Sequence, residues 1–383
     1  MVDYKLLIIG NIYDNHLIRL IKNLKGYNKN ILVDVISEKQ DVQDPRGILE
    51  LIDTIYWFYP PKANCKILNI CQRISDFNVL LNHIASDKHY DIVNIHFPRY
   101  EYTFSIPYLN KIANYMVLTP WGSDVYRVSK IKKAILRCLY SNADFVCCNK
   151  NRFGQDVRKI FGLPLNKLVN LDIGSETIDY IFEYKDIFNP QQSRKMLSLE
   201  GDYFITCGYN AQKSQRHTQI IEAICRIRKQ LPQKLTLLFP MTYPNDAQYI
   251  EEIKDLVKKN NLQAYFFTEY LNIPELFALR HSTDMFVHVQ TTDANAASVQ
   301  EYLALGKNVI NGSWLRYKEL EIDLMVPYHI ANNIDSLSST IYNAYKSGAI
   351  TINSKVLDYI ESYGWKKWII QWNSFFCSLI KTY

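Results

Sequence analysis

Short apolar runs alternate with amphipathic stretches of helical period along most of the chain. Lys5–Ile9, Ile31–Ile36, Thr54–Tyr59, Asp91–His96, Tyr115–Thr119, Asp144–Cys148 and Lys167–Leu171 read as strands. The stretches near Leu17–Lys25, Ser75–Ala85, Lys130–Tyr140 and Arg152–Phe161 read as helices between them. From Ile173 to about Lys195 the periodicity lapses around an NPQQS loop, which predicts a linker. The alternation then restarts with strands at Tyr203–Cys207, Leu235–Phe239, Ala264–Phe267 and Met285–Val289, and helices at His217–Lys229, Ala247–Lys259 and Ile273–Arg280. Strands interleaved with helices predict a mainly parallel sheet covered on both faces. The expected class is α/β, with two doubly wound domains facing across a cleft.

The expected boundaries are a first domain over 1–172, a linker over 173–195, a second domain over 196–362 and a C-terminal helix over 363–383. In that helix Trp365, Trp368, Ile369, Trp372, Phe375 and Phe376 share one broad face. It is expected to pack back across the first domain, with a membrane-surface helix as the alternative.

A chain of 383 residues suits two cores, and its 48% hydrophobic and 21% charged content is that of a folded protein. No apolar run approaches the ~20 residues that span a bilayer, and the N-terminus reads as a buried strand. The cytoplasm is the expected compartment. The eight cysteines are scattered without a CxxC pair, so buried free thiols are expected and a metal site is not. A net charge of +6 fits contact with phosphates or anionic lipid and requires neither.

Gln290–Asn311, QTTDANAASVQEYLALGKNVIN, is the stretch richest in candidate chemistry. A strand leads into small residues (Ala294, Ala296, Ala297, Ser298), then a helix over Val299–Leu305, stopped by Gly306 before a further strand. Small residues at a helix start leave its N–H groups open to an anion, and the helix dipole favours negative charge there. Asp293 lies in the loop and Glu301 on the helix, with seven residues between them. Such a unit suits a diphosphate flanked by polyols. An ordinary strand–loop–helix with a capping Asp or Ser has the same pattern.

Four further loops follow strands. In TPWGSDV, Gly122 permits an unusual backbone angle, and Asp124 either handles a proton or caps a turn. In IHFPR, His96 and Arg99 share the same edge. In GYNAQKSQRH, Lys213 and Arg216 beside a helix start form a cationic cradle for phosphate. In FFTEYLN, Glu269 and Tyr270 are weaker candidates for contact with a base. No GxGxxG follows the first strand, and GxxxxGK[ST], GxSxG, HExxH and an Asp-x-Asp clamp are missing. Nothing points to nucleic acid.

TPWGSDV, GYNAQKSQRH, FFTEYLNIPELFALRHSTDMFVHVQ and DANAASVQEYLALGKNVI together resemble GT-B glycosyltransferases, family 4 above all. The resemblance implies the GT-B fold, a nucleotide-sugar donor and transfer of its sugar, with retention of configuration. It places Asp293 near the transferred sugar, Glu301 at the nucleotide ribose, and the Ala297 and Ser298 N–H groups at the diphosphate. Lys213 and Arg216 match the family's basic pair loosely. Many members carry His where Trp121 stands. LLFPMTYPNDAQYIEEI and ALGKNVING are also similar to the dideoxy-sugar transferase of enterobacterial common antigen, which inverts.

The expected protein is a glycosyltransferase working without metal or other cofactor. A glycan or lipid-linked acceptor in bacterial surface polysaccharide assembly is expected. Lys130, Lys132, Lys133 and Arg137 on one helix offer peripheral contact with anionic lipid at the inner membrane face. A nucleotide-sugar epimerase and a non-catalytic nucleotide-sugar-binding protein are the alternatives.

Overall fold

The computed structural model describes residues 3–39, 47–61, 65–149, 152–244, 246–293, 296–315, 317, 320 and 324–380. Their contacts divide the chain into two units, one formed by Met1–Gly174 with Trp365–Tyr383 and the other by Ser175–Gly364.

The first unit holds a seven-stranded parallel sheet: β1 (Tyr4–Ile9), β2 (Ile31–Glu38), β3 (Thr54–Phe58), β4 (Tyr90–His96), β5 (Ala113–Thr119), β6 (Phe145–Cys148) and β7 (Leu168–Asn170). The strand order is β3-β2-β1-β4-β5-β6-β7, so the chain reverses its direction of travel between β1 and β4. Both faces are buried, and the pleat divides them. Leu7 and Ile9 enter one apolar core, while Leu6 and Ile8 enter the other.

The helix Asn15–Tyr27 covers the second face, capped by Asp14, whose carboxylate accepts from the His16 N–H. Trp365–Ile380 lies on the same face. Trp365, Trp368, Ile369, Trp372 and Phe376 are buried with Leu17, Ile21 and Leu24, and the Trp372 indole donates to the Asp172 carbonyl at 2.8 Å. Each such side chain taken from water stabilises by roughly 1.5–3 kcal/mol.

The second unit holds β8 (Tyr203–Cys207), β9 (Leu235–Pro240), β10 (Gln263–Phe267), β11 (Met285–His288), β12 (Asn308–Gly312) and β13 (His329–Ala331). Their order is β10-β9-β8-β11-β12-β13, all parallel, with the reversal between β8 and β11. Open α/β sheets take ligands outside the carboxyl ends of their strands at such reversals.

Residues 173–195 are not an aperiodic linker. They form the helices Glu176–Tyr184 and Pro190–Met196. The NPQQS loop is a helix start: Asn189 and Gln192 make a reciprocal capping box, with Pro190 in the first turn. Ile178 and Ile181 are buried with Phe277, Phe286 and Tyr302, so the segment belongs to the second unit's core. Beyond Gly312, β13 and the helices Leu337–Ser347 and Ser354–Glu361 occupy a region where the hydrophobic pattern assigned no element.

Of the cysteines, Cys65, Cys71 and Cys138 are exposed, while Cys147, Cys148 and Cys207 are buried. The expectation of buried thiols fails for these exposed three: Cys65 is the N-cap of the helix Lys66–Asp87, and Cys71 and Cys138 are exposed on helices. No helix among the described residues is long and apolar enough to cross a membrane.

Candidate functional site

In the second unit, β8 ends at a glycine in the left-handed region. Gly208 has φ +65, and a Cβ there would meet Gln215 Oε1 at 2.8 Å. This lets the Gly208–Arg216 loop fold over its own buried glutamine. Gln215 accepts from the Tyr209 N–H at 3.3 Å and donates to Gln290 at 2.8 Å. The Thr291 N–H donates to the Ser214 carbonyl at 3.0 Å, joining the loops after β8 and β11. Arg216 adopts φ +62 at the start of the helix His217–Arg226, with no side-chain cap. Its guanidinium lies over the Trp314 ring, 4.9 Å from the centroid, and Trp314 donates to the Gln290 carbonyl at 2.6 Å. Lys213 is exposed, with its ammonium 5.4 Å from the Tyr249 ring centroid.

Asp293 is half-buried after β11. Its carboxylate accepts a short hydrogen bond from the Tyr317 hydroxyl and lies 3.6 Å from His288 Nε2. Burial lowers the pKa of His288 despite the nearby carboxylate. The helix Ala297–Ala304 begins directly after this loop, and Ala296 at its N-cap brings no side-chain cap. Ala297 is exposed there and Ser298 is buried. Ala294 lies outside the described residues.

Glu301 is placed differently from a free ribose ligand. It is buried, with one oxygen 3.0 Å from Arg280 Nε and the other accepting from Ser175 Oγ at 3.3 Å. Arg280 also donates to Tyr302 and Ser298. The hydrophobic pattern missed Arg280, although a charge at a buried position of the apolar helix Ile273–Ser282 signals a buried counter-ion. Glu269 is exposed after β10 at the sheet's edge, and the structure joins it to none of these residues.

In the first unit a cavity of about 530 Å³ opens at the carboxyl ends of the strands, around Gly10 after β1, Glu38 ending β2, Phe97 after β4 and Trp121 after β5. Such volumes are those of small-molecule sites. His96 is in its wall and buried, and burial holds its pKa down at about 3, so the ring is neutral. Arg99 and Arg73 converge on Glu38, Arg99 at 2.5 Å. Arg73 and Glu38 were not foreseen. Glu38 ends β2, Arg73 is on the helix Lys66–Asp87 and Arg99 follows β4, so they meet only in the folded unit.

Asp124 is off this wall. It is buried, and its Oδ1 accepts from the Trp121 and Gly122 N–H groups at 3.0 and 2.8 Å. The carboxylate closes its own turn, over Gly122 at φ +117, and burial raises its pKa to about 6. Oδ1 is spent on the turn, while Oδ2 is buried without a hydrogen-bond partner among the described residues. Among the described residues no group of three His, Cys, Asp or Glu side chains could hold a metal ion.

Residues 5–150 match the family model described as glycosyl transferase 4-like. No curated protein matches the sequence. Among solved structures the chain is similar to a glycosyltransferase from Rickettsia africae, at TM-score 0.70 and 13% identity, covering 99% of each chain. It is similar to sucrose-phosphate synthase from Thermosynechococcus elongatus at TM-score 0.72 and 14% identity, covering 99% of this chain and 100% of that one. HepE from Anabaena, in complex with UDP and glucose, matches at TM-score 0.68 and 13% identity over 98% and 100%. The shared architecture is the GT-B fold.

Proposed function

We propose that this chain, a glycosyltransferase of the GT-B fold whose first unit is family-4-like, moves a sugar from a nucleotide-sugar donor to a glycan or lipid-linked acceptor. One observation carries the reading. The carboxyl edge of the second sheet gathers an uncapped helix start at Ala297, a carboxylate at Asp293 held by Tyr317, and the cations Lys213 and Arg216. Backbone N–H groups and cations around a leaving diphosphate stabilise the charge that develops on it. That HepE was solved with UDP and glucose favours a nucleotide-sugar donor here.

Transfer runs without metal and with retention in this reading. Lys213, Arg216 and the helix dipole supply the counter-charge, and the departing phosphate takes the acceptor's proton. Asp293 faces the transferred sugar. In this reading Glu301 turns the oxygen now 3.3 Å from Ser175 Oγ to the ribose, while Arg280 holds the other. His96 contributes from the first unit as a neutral hydrogen-bonding group. Glu269 contacts the base.

The acceptor role is surface polysaccharide assembly at the inner face of a bacterial membrane. Lys130 and Lys132 flank Ile131, 77% exposed, on the helix Lys130–Asn142, which suits peripheral contact with anionic lipid.

The test is a panel of nucleotide-sugars screened for thermal stabilisation, followed by transfer assays with and without a chelator. A single stabilising donor and chelator-insensitive transfer support the proposal. NMR of the product's anomeric proton reads retention directly. Isomerisation of the donor without acceptor would instead favour an epimerase.

A further inference from the structure

We infer that the first unit's cavity is a saccharide site selective for an uncharged ring over an acidic or phosphorylated one. The cavity walls combine aromatic faces with paired charges. Phe58, Phe77, Phe97, Tyr102 and Trp121 line it. Phe97 stands at φ +54, a strained angle for a bulky residue, and its exposed ring lies 5.8 Å from that of Trp121. Strain of this kind is kept where a side chain must be presented. Aromatic faces suit the C–H faces of sugar rings.

The polar groups are set for hydroxyls. Thr119 donates to the Asn94 amide oxygen at 2.8 Å, so the Asn94 amide nitrogen faces His96 Nε2 at 3.1 Å as a donor. The neutral His96 ring then carries its proton on Nδ1. Among the described residues His96 Nδ1, Trp121 Nε1, Ser105 Oγ and Glu101 Oε2 are buried without a hydrogen-bond partner. His96 and Ser105 are almost fully buried, and all four side chains line the cavity. A buried unpaired polar group costs about 1–3 kcal/mol. Three donors and an acceptor around one cavity are what a polyol satisfies.

The charges discriminate against an anion. Arg73 and Arg99 both meet Glu38, and Arg99 lies 3.5 Å from Glu101. Two cations face two carboxylates, and Asp14 in the same wall adds a third. An incoming carboxylate or phosphate finds no uncompensated cation and must break an ion pair to gain one. A neutral ring finds fixed donors and acceptors. As the acceptor site of the proposed transfer, the cavity depends on that reading; as a saccharide site it stands by itself.

Saturation-transfer NMR on the full chain tests this with methyl glucoside and N-acetylglucosamine against glucuronate and glucose 6-phosphate. The neutral probes are expected to bind and the acidic ones to compete at least about tenfold more weakly. Glu38→Gln removes one negative charge from the paired cluster and leaves Arg73 and Arg99 without their shared partner, so it is expected to shift preference toward the acidic probes by about tenfold. Trp121→Phe, a milder change, is expected to weaken the neutral probes. Acidic probes binding wild-type protein as well as neutral ones, or no neutral probe binding, overturns the inference, and this arm needs no variant. Donor binding measured in the same samples fails or holds separately: its loss sinks the transferase reading and leaves the cavity's preference intact.

Discussion

Arg280 and Glu301 meet at 3.0 Å with 5% of each side chain exposed, the guanidinium from the helix Ile273–Ser282 and the carboxylate from Ala297–Ala304. The pair joins those helices, and Ser175 ties in the start of Glu176–Tyr184. Removing one partner of a buried ion pair strands the other. Glu301→Ala should therefore destabilise the second unit by about 3–5 kcal/mol, read in denaturant unfolding. The double change Glu301→Leu with Arg280→Met should recover much of that loss. If Glu301→Ala unfolds like wild type, the pair is not a structural tie.

Asp293 is held by Tyr317, and the proposed transfer needs it. Asp293→Ala should cut kcat by about 10²–10³-fold while donor binding, measured by calorimetry, changes far less. Tyr317→Phe should show a smaller loss in kcat, since the carboxylate remains but loses its hydroxyl donor. Equal losses in binding and kcat would assign Asp293 to donor binding only.

Arg216 stacks on Trp314 at the start of an uncapped helix. Arg216→Ala should slow turnover by about 10²-fold through weaker stabilisation of the leaving diphosphate, and Lys213→Ala should act the same way. Substrates with better leaving groups should shrink the effect. A loss that ignores the leaving group would point to folding of the loop instead.

Burial raises the pKa of Asp124 from 3.8 to about 6. The folded chain then binds this proton more tightly than the unfolded chain, so the contribution is fully present below pH ~4 and is lost as pH rises through ~6. It amounts to at most ~3 kcal/mol. Asp124→Asn keeps the oxygen that accepts from Trp121 and Gly122 and should abolish this slope. Stability curves of both proteins between pH 4 and 7 check it; parallel curves would place the titration elsewhere.

Trp372 is fully buried in the first unit, with its indole N–H on the Asp172 carbonyl. Trp372→Ala should destabilise that unit by about 3–5 kcal/mol in thermal or denaturant unfolding.

The apolar runs alone predicted most strands to within a residue or two, because a parallel strand buried on both faces must be apolar at nearly every position. They also predicted the C-terminal helix, whose tryptophans repeat at helical spacing. They failed at 173–195, where a capping box was read as a loop: Asn-Pro-Gln-Gln serves either, and only Ile178 and Ile181 meeting Phe286 decides.

Asp293, Lys213, Arg216 and Ala297 could be read from the chain because each follows a strand, and strand ends of a parallel sheet share one edge. What each side chain does there could not. Spacing made Glu301 a ligand for hydroxyls and left Asp124 open between acid–base work and a turn. Packing gave the first a buried guanidinium and the second two backbone N–H groups. The Glu38–Arg73–Arg99 cluster is the sharpest case, since a strand end, a helix and a loop far apart in the chain bring its members together. Local period is written residue by residue, so the amino-acid order determined the elements and their edges. Burial and charge pairing depend on partners distant in the chain, so only the tertiary structure decided which polar groups are spent on holding the fold and which are left to meet a ligand.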